Sequence, residues 1–164
     1  MLFFLFLLGY VNANLQIGEE LSVEQLLYIL LVASANDAAI VLAEGIAGSV
    51  ESFSSMMNTK AIELGCKDTH FVNPNGIHNE DHYSTAFDLA LIAKEAMKNS
   101  TFRKIISTLS YTLPATNKYD KADRIFTNTN DLMQKKYTNY YYEFATGIKT
   151  GFTSEAKNCL IARK

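Results

Sequence analysis

A chain of 164 residues is long enough for one domain with its own core, and 48% hydrophobic with 20% charged residues is the balance of a folded protein, not a disordered one. A formal net charge of −2 gives no electrostatic reason to expect nucleic acid or an anionic membrane as partner. Two prolines and eight glycines exclude collagen-like or low-complexity organisation, and the two cysteines, Cys66 and Cys159, lie too far apart for a C-x-x-C site, leaving a disulfide and two free thiols both open.

The chain starts with an apolar run, Met1 to Leu8, followed by Gly9 and the loosely A-x-A-like Val11-Asn12-Ala13. That layout resembles a secretory leader and is too short to span a bilayer, although no Lys or Arg precedes the apolar run. A buried strand or helix piece, or the start of a truncated reading frame, fits the same residues. Residues 1–13 are therefore set apart as a signal-like or unrelated apolar segment, with 14–164 as the domain.

Ser22 and Gln25 have capping-box spacing, and Val23, Leu26, Leu27, Leu30 and Leu31 recur at helical intervals, predicting a largely buried helix over 23–33. Asn36 and Asp37 are placed to cap a second, Ala-rich helix over 38–47. Ser49 opens a third helix to about Leu64, which Gly65 ends as a C′ glycine. Residues 66–82, containing Asn73-Pro74-Asn75-Gly76, read as an irregular loop. Ser84 is expected to cap a helix to about Met97, with a short helical turn around 101–106.

The pattern then changes. Thr108 to Leu113 alternates like a strand and Pro114 stops it, Asn128 to Met133 suits one more short helix, and Gly147–Thr153 and Asn158–Ala162 read as strands around the turn 154–157. The first two thirds are thus predicted to be helical, with a sheet beginning only near the end. An isolated two-stranded hairpin is marginal in water.

Two tripeptides carry chemistry. Ser34-Ala35-Asn36 lies between two apolar helices, and Lys149-Thr150-Gly151 lies on a predicted strand. Serine enzymes that recognise penicillin combine S-x-x-K, S-x-N and K-T-G. The first serine attacks a carbonyl while its lysine takes the proton. The S-x-N side chains relay a proton and hold the substrate amide, and the K-T-G lysine and threonine bind a terminal carboxylate. Each tripeptide has a plainer reading alone: Ser34 and Asn36 as helix caps, Lys149 as an exposed strand charge, Thr150 as an ordinary strand residue. His70, His78 and His82 share one loop region at spacings that match no ligand pattern, and read as surface or structural histidines. Tyr137 and Tyr140–142 read as packing aromatics near the cleft.

Four blocks in order resemble one family: Gln16 to Tyr28 followed by Ser34-Ala35-Asn36-Asp37-Ala38-Ala39; Thr69 to Gly76 with His82 to Ala90 after it; Thr127-Asn128-Thr129-Asn130-Asp131-Leu132; and Gly147 to Ala156. Over about residues 14–163 the chain is similar to the serine D-alanyl-D-alanine carboxypeptidases of the low-molecular-mass penicillin-binding proteins, with the sporulation-related branch nearest. The resemblance implies an α+β fold of the β-lactamase and penicillin-binding-protein type, a helical lobe against an antiparallel sheet with the site between them. It implies an exported, extracytoplasmic bacterial enzyme of the cell wall that removes the terminal D-alanine from peptidoglycan stem peptides through an acyl-enzyme. Its partners would be D-Ala-D-Ala peptides and β-lactams, with no metal, no cofactor and no nucleic acid, and membrane association only through segments outside this sequence. By position, Ser34 and Asn36 carry over as catalytic residues, and Lys149, Thr150 and Gly151 as substrate-binding residues.

The match departs from the family in one respect that bears on chemistry: no S-x-x-K precedes Ser34, where Met1 to Ala13 stand instead. The only S-x-x-K, Ser154-Glu155-Ala156-Lys157, follows K-T-G in a predicted turn and reads as a coincidence made by Lys157. The family's further strands and closing helix have no counterpart after Lys164. The expectation is a fragment that holds the recognition half of the site and is inactive alone. A non-catalytic remnant binding D-alanyl peptides or β-lactams is the alternative. A class A β-lactamase relative fits less well, because no Glu-x-x-x-Asn lies in a loop suited to deacylation.

Overall fold

The chain builds its helices first and its two hairpins second in the computed structural model, which describes residues 11–136 and 139–164. The helices are α1 (Val23–Ala33), α2 (Asn36–Ala47), α3 (Val50–Glu63), α4 (Ala86–Ala96) and α5 (Ser100–Ile106). The strands are β1 (Ser110–Leu113), β2 (Arg124–Thr127), β3 (Ile148–Thr153) and β4 (Lys157–Ala162). β1 pairs antiparallel with β2, and β3 with β4, as two separate two-stranded sheets. The mixed α+β architecture expected from the sequence is present, with one more hairpin than predicted.

α1 is the central element. Its capping box forms as its spacing requires: the Ser22 hydroxyl accepts from the Gln25 N–H, and the Gln25 side chain accepts from the Ser22 N–H at 2.6 Å. Residues from Tyr28 to Ala33 are all buried because α1 packs on α2, α5 and both strands of the first hairpin. One face, with Leu26, Ile29 and Leu30, meets Ala35, Ala38, Ala39 and Leu42, and the small alanine side chains let α2 approach closely. The other face, with Tyr28, Leu31 and Val32, joins Phe53, Met57, Ile92, Ile105, Ile106 and Ile148, bringing α3, α4, α5 and β3 into one core.

Several local expectations shift. Asn36 and Asp37 are the first residues of α2 and not its caps; Ala35 is the N-cap, with no side-chain cap bond. The Asp37 carboxylate instead accepts from Ala13 N at 2.9 Å and Leu15 N at 3.1 Å, pinning the incoming segment to the positive end of the helix. Thr85, not Ser84, caps α4; the Ser84 hydroxyl is shared with Thr69 at 2.8 Å. Of residues 128–133 only Asp131–Met133 is helical, a single 3₁₀ turn, because the side chains of Asn128 and Asn130 take up the backbone bonds a longer helix would need. Of the tyrosines read as packing aromatics, Tyr140 and Tyr142 are exposed and lie in no strand, Tyr141 is half-buried, and Tyr137 lies outside the described residues.

Two polar anchors hold the loops. Asp88, almost fully buried in the first turn of α4, accepts from Lys67 N, Asp68 N and the Thr69 hydroxyl, fixing the loop that leaves α3. Glu19 pairs with Arg124 of β2, whose guanidinium also lies 3.8 Å from the Tyr119 ring centre. The leader reading falls largely on residues 1–10, outside the described residues. Residues 11–15 are tied to the fold: Val11 O accepts from Asn36 N at 2.8 Å and Ala13 is buried, while Asn12 and Asn14 are exposed. Among the described residues no helix is long and apolar enough to cross a membrane.

Candidate active site

Ser34 ends α1 in the left-handed conformation, φ 65°, with its N–H donating to Leu30 O at 2.9 Å. Glycine is the default residue there, and an L-residue costs roughly 1 kcal/mol more. The residue held in this conformation carries a hydroxyl. That hydroxyl is buried and faces β3. Asn36, also buried, follows on the same turn as the first residue of α2.

Lys149 approaches from the other side. β3 places it opposite Ile161, with 2% of its surface exposed. Its Nζ donates to Ser34 Oγ and to the Thr150 carbonyl at 3.0 Å. Both partners are neutral, so nothing offsets the loss of hydration, and burial pushes the ammonium pKa down from 10.5 to about 7. A lysine in that state gives and takes a proton near neutral pH.

Thr150 completes the local set. Its Oγ1 lies 2.5 Å from Thr129 Oγ1, while Gly151, buried, faces Cys159 across the hairpin. β3 reaches this position because Gly147, φ 122°, lies against α5: a Cβ there would be 2.8 Å from Ile106 Cδ1. Asn130 Nδ2 then donates to Gly147 O at 3.0 Å and holds the strand entry in place.

Ser34, Lys149 and Thr150 are therefore joined by hydrogen bonds, with Asn36 two residues after Ser34 and Gly151 next to Thr150. Ser154 to Lys157 form the hairpin turn, where Lys157 pairs with Thr153 at the end of β3 away from Lys149. Sequence reasoning gave no role to Thr129, which lies beside Thr150. Its only signal was the polar run Thr127 to Asp131 between a strand and a turn.

The histidines serve the neighbouring loop. His82 Nδ1 accepts from Val72 N at 3.1 Å, so Nε2 carries the hydrogen of the neutral ring. Burial first, then the charges of His70 and His78, push its pKa down to about 4. His70 Nδ1 donates to Asp81 O at 2.6 Å, and His78 lies 3.8 Å from Glu155. Gly76, His78 and His82 line one side of a small cavity whose other side is Gly151, Phe152, Thr153 and Cys159, which sets the Asn-Pro-Asn-Gly loop against β3. The cysteines are separate thiols, Cys66 bonded to Asp88 O and Cys159 to Ala156 O.

Against this geometry, the D-alanyl-D-alanine carboxypeptidase family model (peptidase S11) matches residues 8–164. D-alanyl-D-alanine carboxypeptidase DacF of Bacillus subtilis (strain 168) is 42% identical over 157 residues, covering 94% of this chain and 38% of that protein. The D-alanyl-D-alanine carboxypeptidase of Streptomyces sp. (strain K15) is 41% identical over 158 residues, covering 92% of this chain and 52% of its own length. The crystal structure of the Streptomyces K15 DD-transpeptidase superposes with a TM-score of 0.83 at 40% identity, covering 92% of this chain and 58% of that one. The chain spans about two fifths to three fifths of the length of these relatives.

Proposed function

The chain belongs to the D-alanyl-D-alanine carboxypeptidase family of serine-type enzymes, and from that premise we propose that it forms the two substrate-holding walls of such a site and releases no D-alanine by itself. One wall is the α1–α2 turn with Ser34 and Asn36; the other is β3 with Lys149, Thr150 and Gly151. The observation that carries the reading is the buried hydrogen bond from Lys149 Nζ to Ser34 Oγ, which joins residues 115 apart in the chain.

The chemistry follows from the groups present. Lys149, protonated as an anion approaches, and the Thr150 hydroxyl supply donors for the C-terminal carboxylate of a D-alanyl-D-alanine stem peptide. Ser34 Oγ accepts from Lys149 and keeps its own hydrogen, which it can direct at the nitrogen of the terminal peptide bond. The Asn36 amide, donor and acceptor at once, holds the peptide backbone. The attacking hydroxyl and its base belong to an S-x-x-K element, and none lies upstream of Ser34 in these 164 residues. The peptidoglycan substrate places the work outside the cytoplasmic membrane, and β-lactams would compete for the same walls.

Intact-mass analysis after incubation with a penicillin, paired with titration of a peptide ending in D-alanyl-D-alanine, tests the proposal. The expected result is unchanged mass with saturable, reversible peptide binding. A penicilloyl adduct on one serine, or D-alanine release abolished by Ser34→Ala, would overturn the inactivity; a folded chain that binds no peptide would overturn the recognition.

A further inference from the structure

Asn128, Thr129 and Asn130 form a polar wedge between the two walls. The flanking asparagines are buried, and each uses both its amide nitrogen and its oxygen. Asn128 Nδ2 donates to Thr108 O at 2.9 Å and its Oδ1 accepts from Asn130 N at 2.9 Å. Asn130 Nδ2 donates to Gly147 O and its Oδ1 accepts from Leu132 N at 3.1 Å. Thr129 between them is half-exposed and touches both walls: its N–H donates to Val32 O at 3.2 Å, two residues before Ser34, and its hydroxyl meets that of Thr150 at 2.5 Å. Lys149 holds the Thr150 carbonyl, so Thr150 is gripped by its backbone on one side and by its side chain on the other.

Two hydroxyls sharing one hydrogen bond use one of their two hydrogens and leave the other free. When an anion accepts the Thr150 hydrogen, the only arrangement that keeps both contacts has Thr129 donating to Thr150. A hydroxyl that accepts a hydrogen bond is in turn a stronger donor. We propose that Thr129 is a positioning residue for carboxylate recognition: its hydroxyl donates to Thr150 Oγ1 and aims the Thr150 hydrogen at a C-terminal carboxylate bound beside Lys149. The proposal rests on the reading of Lys149 and Thr150 as carboxylate holders.

The test is calorimetric titration of the 164-residue chain with a peptide ending in D-alanyl-D-alanine and with the same peptide as its C-terminal amide. The wild-type chain should prefer the acid. Thr129→Val keeps the shape and loses the hydroxyl, and should reduce the acid-to-amide preference about five- to tenfold, with Thr129→Ser restoring it to within about twofold. Thr129→Ala, which cannot clash, carries the same expectation should the valine variant not fold. A merely structural role for Thr129 would weaken acid and amide binding alike and leave their ratio unchanged, and that result would overturn the proposal while leaving the recognition reading intact. A wild-type chain that binds acid and amide equally would instead overturn the carboxylate reading, and this proposal with it.

Discussion

Glu19 and Lys149 are both almost fully buried charged side chains, with 1% of the Glu19 side chain and 2% of Lys149 exposed, and the chain treats them in opposite ways. Burial pushes the Glu19 carboxyl pKa up, but Arg124, the Gln16 N–H and the Thr116 hydroxyl together outweigh it and hold the pKa below the usual carboxylate value. Among the described residues Lys149 meets a hydroxyl and a carbonyl and no counter-charge, so its burial goes unopposed. The first arrangement is a brace between the N-terminal segment and β2. The second leaves an ammonium whose pKa is lowered by burial, at the expense of stability.

Breaking the brace should give the largest effect. Arg124→Met leaves Glu19 without its cation and should cost about 3 kcal/mol in urea unfolding at pH 7, whereas Glu19→Gln with Arg124→Met should recover part of that loss. Two additive losses would mean that the pair does not act as one.

Removing Lys149 should do the reverse. The unfolded lysine titrates at 10.5 and the folded one at about 7, so the unfolded chain binds more protons between these values and wild-type stability rises with pH across that window. At about 1.4 kcal/mol for each pH unit the cost of the charged form approaches about 5 kcal/mol at pH 6, less about 2 kcal/mol for two lost hydrogen bonds. Lys149→Met should therefore be more stable than wild type by about 2–3 kcal/mol at pH 6, with the advantage gone by about pH 10. Equal destabilisation at both pH values would show that the lysine carries no burial cost.

A third test sharpens the same contrast at a histidine. His82 is held neutral, with its pKa moved from 6.5 to about 4, so wild-type stability should fall as pH drops through that interval. His82→Asn, whose Oδ1 still accepts from Val72 N, should flatten the slope between those pH values. An unchanged slope would assign the acid sensitivity to other groups.

What the sequence disclosed follows the reach of each signal. Ser22 and Gln25 announce the start of α1 three residues apart, and Gly65 announces the end of α3, because caps are local chemistry. Ser34, Asn36 and the Lys149–Gly151 tripeptide were legible as motifs. That Lys149 would be buried against Ser34 was not, since that contact depends on Gly147 letting β3 close against Ile106. β2 is four residues with only partial burial and no strong strand pattern, so neither it nor the Glu19–Arg124 pair stood out. Ser84 and Thr85 are adjacent hydroxyls, and Thr69, fifteen residues away from Ser84, settles which one caps α4. Thr129 lay in a recognised block, but its role depends on a hydroxyl 21 residues on.

The most direct test of the account is the titration of Lys149 itself. With lysine labelled at 13Cε and the resonance assigned by Lys149→Met, its shift should be followed by NMR from about pH 5 to about pH 11. A midpoint near 7 would match a lysine buried against Ser34 with no counter-charge. A midpoint at the ordinary lysine value of 10.5 would contradict it, meaning that in solution Lys149 is hydrated and the two walls do not close on each other.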